Sequence, residues 1–273
     1  IIERSGNSFH SRVVNKLREL KWSVLVSPHY SDNFTDKPRE IDIVTEKKFD
    51  VNEFIGGWLG TLNVRLFIEC KYINEDIVFW FEEKDVERAT KRIMRDTGMD
   101  DPRKNTEITK HHYYANTPVA KLWASGSKKN EDNEIISKAI NQVLNGTIYY
   151  RNSVDLKIVP NPRGLIDRVL KRVPYPLIVV NSFDNFHATQ MNGDGTSGPI
   201  TEPFTIEINY THIDKDRNGV NEYFLIDVVS LDKLPEFLAS AIEGADVGTL
   251  SEKFRWDKRT QGRQQDQGTQ DFW

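Results

Sequence analysis

The sequence holds a single cysteine, Cys70, so no disulfide can form within the chain and a fold stapled by cross-links is excluded. It has no apolar run near the roughly 18 residues that a membrane span requires. The longest such runs, for example Pro176 to Val180, have the length of strands, and no membrane role is expected. Positive charge is also not in excess. The 37 Lys and Arg face 41 Asp and Glu, for a formal net charge of -4. Binding nucleic acid through charge spread over the whole surface is therefore excluded, because counterion release needs cations facing phosphates. No basic-then-apolar secretory stretch opens the residues given, and with the lone cysteine this makes a cytoplasmic setting the expectation. The chain starts at Ile1, not Met, so its natural start is expected upstream.

What is present suffices for a large core. The chain has 273 residues, of which 38% are hydrophobic. Ser8 to Leu20 sets Phe9, Val13, Leu17 and Leu20 on one side of a predicted helix. Trp22 to Ser27 and the alternating Glu40 to Thr45 read as strands, the second with Glu40, Asp42 and Val44 on one face. Asp50 to Asn63 is turn-rich and leads into a third strand, Val64 to Tyr72. A charged helix over Phe81 to Met99, then a polar stretch from Asp100 to Thr117, reads as part of an insertion. Asn130 to Leu144 is apolar at helical spacing, with Gly146 as its stop signal, and Leu177 to Asn181 is a fourth strand. Beyond it, Phe204 to Tyr210 and Glu222 to Val229 form a hairpin, and Leu234 to Ile242 a helix. The polar, Gln-rich stretch from Arg255 to Trp273 is expected to be a flexible tail.

The chemistry concentrates in Glu69-Cys70-Lys71. Period-two alternation puts Glu69 and Lys71 on one face of a strand and Ile68 and Cys70 on the other. If Asp42 on the neighbouring strand shares that face, two carboxylates can hold a hard divalent cation while the lysine positions or helps deprotonate a water. Phosphodiester hydrolysis needs those elements.

By order and motif the chain resembles the PD-(D/E)XK nucleases. Gly6-x-x-Phe9 with Val13 and Leu17 is similar to their opening helix. Lys37-Pro38-Arg39-Glu40-Ile41-Asp42-Ile43 is similar to their Asp strand, Glu69-Cys70-Lys71 to their Glu-x-Lys strand, and Ala139-Ile140-Asn141-Gln142 to their crossover helix. The resemblance implies an α/β restriction-endonuclease-like core, a mixed central sheet flanked by helices in the order α-β-β-β-α-β. That core would occupy residues 1–182 with an insertion at about 73–128. A C-terminal hairpin and helix extension over 183–254 would pack on it, and a tail would follow over 255–273.

It further implies a DNA endonuclease dependent on magnesium (Mg2+), with Mn2+ as a substitute, serving restriction or another defence, and it leaves RNA open as substrate. Asp42, Glu69 and Lys71 would be catalytic, and Asp42, Glu69 and the main-chain carbonyl of Cys70 would hold the metal. Gln142 would touch substrate. Relatives often carry a Glu directly after the aromatic of the opening helix, whereas this chain has His10. His10 and Glu40 are thus further candidate ligands, the imidazole favouring manganese. Arg168, Lys171 and Arg172, within a basic cluster reaching from Arg151, are candidates for binding the nucleic acid, with solvated charge as the competing reading. The alternatives are a binding module whose catalysis is weakened, and a nuclease subunit that cuts only within a larger complex. The extension offers a surface for a homodimer or a partner subunit.

Three other motifs carry less. Asp214 to Gly219 resembles the start of a calcium loop but has Leu225 at the closing position and strands around it, so it reads as a hairpin turn. Asn192 to Gly195 lacks the lysine of a phosphate loop. His111-His112 beside Tyr113-Tyr114 reads as incidental on a polar stretch.

Overall fold

The computed structural model describes residues 6–32, 35–99, 106–125, 133–151, 168–193, 195–214 and 216–267. Helix α1 (Gly6–Glu19) buries the predicted stripe of Phe9, Val13 and Leu17, and Lys16 and Arg18 sit favourably at the negative end of its dipole. Strand β1 (Ser23–Val26) follows. A small two-stranded sheet, β2 (His29–Ser31) with β3 (Pro38–Glu40), comes next. Strand β4 (Ile43–Asn52) and strand β5 (Trp58–Lys71) make a long antiparallel hairpin from Ile43↔Ile68 to Asn52↔Trp58.

Much of the stretch expected to be turn is thus strand, and only a few residues near Gly56 turn the chain. Gly60 is needed in β5 for a different reason. Its φ is +150°, and a Cβ there would lie 2.5 Å from the Arg168 carbonyl oxygen, so only glycine lets the neighbouring strand approach.

Strand β6 (Ile77–Glu82) is short and alternately buried. Helix α2 (Val86–Thr97) starts later than predicted because the Asp85 carboxylate accepts the Arg88 N–H and caps it, and it ends at Gly98 in the left-handed region. A 3-10 turn (Thr106–Lys110), helix α3 (His112–Ala115) and strand β7 (Val119–Ser125) complete the stretch read as an insertion. Strands β6 and β7 belong to the central sheet, so this stretch is woven into the body of the molecule.

Helix α4 (Asn133–Tyr150) runs through Gly146 instead of stopping there. A Cβ on Gly146 would sit 2.7 Å from Ile41 Cδ1, so this glycine serves close packing and is not a cap. Strand β8 (Val169–Val180) lies parallel to β5, with Glu69↔Ile178 and Leu62↔Lys171.

Strands β9 (Phe186–Gln190) and β10 (Gly198–Pro199) precede the predicted hairpin, β11 (Phe204–Ile213) and β12 (Gly219–Ser230). In its turn, Asp214 Oδ1 accepts the N–H groups of Asp216 and Asn218 at 2.9 and 2.8 Å, which makes it a hairpin turn as read. Helix α5 (Leu234–Phe237) leads into a π-helical segment (Leu238–Asp246) and then helix α6 (Val247–Gln267). The segment expected to be a flexible tail is helical as far as Gln267.

The result is α/β, a ten-stranded mixed sheet in the order β1-β4-β5-β8-β12-β11-β7-β6-β9-β10. Helices cover both faces. On one, Phe9, Val13, Ile93 and Leu250 pack on Leu66, Ile68 and Leu177; on the other, Ile136, Ile140 and Val143 of α4 pack on Phe67, Ile178 and Ile226. Strands β12 and β8 pair in parallel, so the extension lies inside the sheet. No helix among the described residues is long and apolar enough to cross a membrane.

Candidate active site

The alternation of β5 sends Ile68 and Cys70 into the α1 side of the core and Phe67 into the α4 side. Glu69 and Lys71 share the Phe67 face, as the spacing predicted. Asp42 lies one residue ahead of β4, where the chain bends between the small sheet and the large one. The expected strand from Glu40 to Thr45 is therefore interrupted at Ile41 and Asp42, and the break turns Asp42 toward β5. Its Oδ2 accepts the Cys70 N–H at 2.8 Å, and its own N–H reaches Glu69 Oε1 at 3.3 Å. A strand residue presents its N–H and carbonyl to the same neighbour, so the Cys70 carbonyl also opens toward Asp42.

Lys71 Nζ donates to Glu69 Oε2 at 2.9 Å and to Gln142 Oε1 of α4 at 3.1 Å. Asp42, Glu69, Lys71 and Gln142 thus form one connected group. Glu69 is wholly buried, whereas the Lys71 side chain is 19% exposed. Burial pushes the Glu69 carboxyl up to about 8; the Lys71 charge draws it down and the Asp42 charge adds to the rise. Burial and then Asp42 likewise raise the Cys70 thiol, which stays uncharged. Beside the group opens a cleft of about 790 Å3, lined by Tyr30, Asp32, Arg39, Lys138, Gln142 and Asn145 among others. The Tyr30 hydroxyl is raised by its burial and by the Glu69 charge.

Other predicted site residues lie elsewhere. Glu40 is in β3, part of the separate small sheet, with its half-exposed carboxylate 3.9 Å from His29 Nε2. His10 is on α1, which packs on the opposite face of the sheet, and its Nε2 is buried with no hydrogen-bond partner among the described residues. Neither completes a set of three ligand atoms with Asp42 and Glu69: among the described residues the one such set within 4.8 Å is His111, His112 and Asp246.

Lys171 and Arg172 pair with Leu62 and Asn63, and Arg168 precedes them at the start of β8. From Leu62 to Glu69 the strand covers about 23 Å at ~3.3 Å per residue. The basic residues are therefore far from the carboxylates, because β8 runs parallel to β5 and carries them at its opposite end. Lys157 and Arg163 of the same cluster, and Asp194 of the Gly-rich loop, lie outside the described residues.

His111 and His112 are not incidental. They are buried in a charged network that sequence reasoning missed. His112 Nδ1 lies 2.5 Å from Asp246 Oδ2 and Nε2 lies 3.1 Å from Asp227 Oδ2. Tyr175 donates its hydroxyl to Asp246 Oδ2 at 2.8 Å, and His111 Nε2 is 3.4 Å from the same oxygen. Burial opposes a charged His112, but Asp246 and Asp227 outweigh it and hold the imidazole up at about 10; for His111 burial wins, and with the His112 charge beside it the ring is held down at about 4 despite the pull of Asp246. The signals available were Asp227 inside the apolar run from Phe224 to Val229 and Asp246 at the end of the segment that begins at Leu238.

No family model, curated protein or solved structure matches this chain.

Proposed function

We propose that the chain is a metal-dependent endonuclease that hydrolyses phosphodiester bonds in DNA on a restriction-endonuclease-like core. The observation that carries this reading is the convergence of Asp42, Glu69, Lys71 and Gln142, from a bend, a strand and a helix far apart in sequence, into one hydrogen-bonded group. Supporting it is the succession of α1, three antiparallel neighbours β1, β4 and β5, the crossover helix α4 and the parallel strand β8.

A divalent cation fits this group. The donors available are hard oxygens, and the Glu69 carboxyl, raised to about 8 by its burial, is a group whose charged form a divalent cation beside it would favour. Asp42, Glu69 and the Cys70 carbonyl would hold it, magnesium in the first place and manganese as substitute. When bound, the ion supplies a Lewis acid and a water acidic enough to attack at neutral pH.

The protein's own groups do the rest. An ammonium has three N–H donors; two of those of Lys71 are taken by Glu69 and Gln142, which fixes the third for a water or a phosphoryl oxygen. Gln142 anchors the lysine at the edge of the cleft, where a nucleic-acid strand can lie. The test compares wild type with Glu69→Gln on supercoiled plasmid, linear duplex, single-stranded DNA and RNA, with magnesium, manganese or EDTA. Cleavage by wild type alone, abolished by EDTA, is the expected result. Equal cleavage by the variant would falsify the proposal. Binding without cleavage under every condition would favour a weakened binding module, the reading that His10 in place of a carboxylate supports.

A further inference from the structure

Four side chains line a small basic pocket at the end of the sheet opposite the carboxylates: Arg95 of α2, Arg151 just past α4, and Lys171 and Arg172 of β8. Among the described residues Asp96 is the one acidic group lining it, and its volume is about 210 Å3. Behind it, Glu222 of β12 accepts Arg92 Nη1 at 3.0 Å, Arg95 Nη2 at 2.7 Å, and Arg151 Nη1 and Nη2 at 2.6 and 3.0 Å. Asp96 holds Arg95 Nε at 3.0 Å and pairs with Arg92 Nε. Arg92 is buried, with its guanidinium 4.2 Å over the Phe224 ring. The guanidinium groups are therefore fixed in place by carboxylates they already satisfy, which is how a preorganised donor array is built.

The charges do not balance. Among the described residues Arg92, Arg95, Arg151, Lys171 and Arg172 face two carboxylates, Glu222 and Asp96, a surplus of three positive charges. Among the described residues Arg172 has no ion pair, and Lys171 Nζ makes one contact, 3.4 Å to the Arg95 carbonyl oxygen. Counted by donors, Arg172 has its whole fork unused, Lys171 two N–H groups, Arg95 one amino group and Arg151 its Nε–H. The arginines hold the Glu222 carboxyl down at about 2 despite its burial, so the cluster keeps its internal negative charge and still carries the surplus. Like charges crowded this way repel, and a purely structural cluster would lose stability by also carrying Lys171 and Arg172.

We infer that this pocket is an anion site for a phosphate group, held by Arg95, Arg151, Lys171 and Arg172, and distinct from the proposed catalytic group. The volume equals that of about seven waters at ~30 Å3 each, room for a phosphate or pyrophosphate but not for a whole nucleotide. A nucleotide or strand end would insert its phosphate and leave the rest outside. The inference is independent of the nuclease reading, since none of these residues belongs to the group around Glu69.

The experiment titrates the full chain with inorganic phosphate and pyrophosphate by calorimetry and by thermal unfolding, at an ionic strength held constant with sodium chloride. Wild type should bind saturably and melt at a higher temperature. Lys171→Gln combined with Arg172→Gln should weaken binding at least about tenfold, the loss expected for charge-assisted hydrogen bonds. Without phosphate that variant should be at least as stable as wild type, a result no structural role for these two side chains predicts. Displacement by a 5′-phosphorylated oligonucleotide, but not by its 5′-hydroxyl counterpart, would name a strand end as the source; failure of both to displace would name a free phosphate. Absence of saturable binding to wild type, or unchanged binding in the variant, overturns the site.

Discussion

At the scale of single residues, the division of labour around Glu69 makes distinct predictions for its two nitrogen neighbours. Lys71 spends two donors on Glu69 and Gln142 and offers the third to the reaction, so Lys71→Ala should lower turnover by about 10²- to 10³-fold while leaving metal affinity nearly intact. Gln142 touches the chemistry only through the lysine. As a positioning residue, its change to Ala should cost about 2- to 10-fold in kcat, with KM for substrate moving little. Steady-state kinetics with a separate metal titration checks both, and full activity in Lys71→Ala would remove that residue from the mechanism. The convergence of these side chains was legible because period-two alternation and motif order are local properties. The position of His10 was not legible: whether a helix reaches a strand end depends on which face it covers, and no spacing encodes that. Glu40 failed for the opposite reason. Strand alternation was extended through Ile41 and Asp42, where the chain in fact leaves one sheet for another.

At the scale of elements, glycine was misread where it packs. Gly146 looks like a helix stop, yet α4 continues past it because Ile41, fully buried, occupies the space a side chain would need. The two readings predict opposite signs. Replacing an interior helix glycine with alanine should by itself stabilise by about 1 kcal/mol. Here the 2.7 Å approach to Ile41 Cδ1 should outweigh that gain, for a net loss on the order of 1–2 kcal/mol in urea unfolding. Adding Ile41→Val, which removes the offending methyl, should recover the loss, and a stabilised single variant would show that the contact yields. Strands β6 and β7 were hidden for a related reason: their alternation lies beside a strongly charged helix, and the charge dominated the reading. Longer, two-face patterns such as the β11–β12 hairpin showed through because both strands carry them for many residues.

At the scale of the whole molecule, one buried network ties distant parts of the chain together. His112 of α3 lies between Asp246, at the end of the π-helical segment, and Asp227 of β12, while Tyr175 of β8 and His111 complete the ring of groups around Asp246. A π-helical stretch is rare, and here it delivers an aspartate to the core. Because the folded protein raises His112 from 6.5 to about 10, its charge contributes stability that is complete below pH 6.5. That contribution is lost as pH rises toward 10, since over that range the folded state still holds a proton the unfolded state has released, and removing protons favours unfolding. His111 acts in the other direction: lowered to about 4, it contributes stability above pH 6.5 that is lost as pH falls toward 4. Taken by themselves, these two histidines contribute most near pH 6.5. His112→Asn should cost about 3–5 kcal/mol at that pH, because two buried carboxylates lose their cation. It should also flatten the alkaline limb of stability against pH, and urea titrations from pH 4 to 10 on both proteins measure this. An alkaline limb of the same slope in the variant would mean that the loss of stability at high pH belongs to other groups, and that His112 is neutral in the fold.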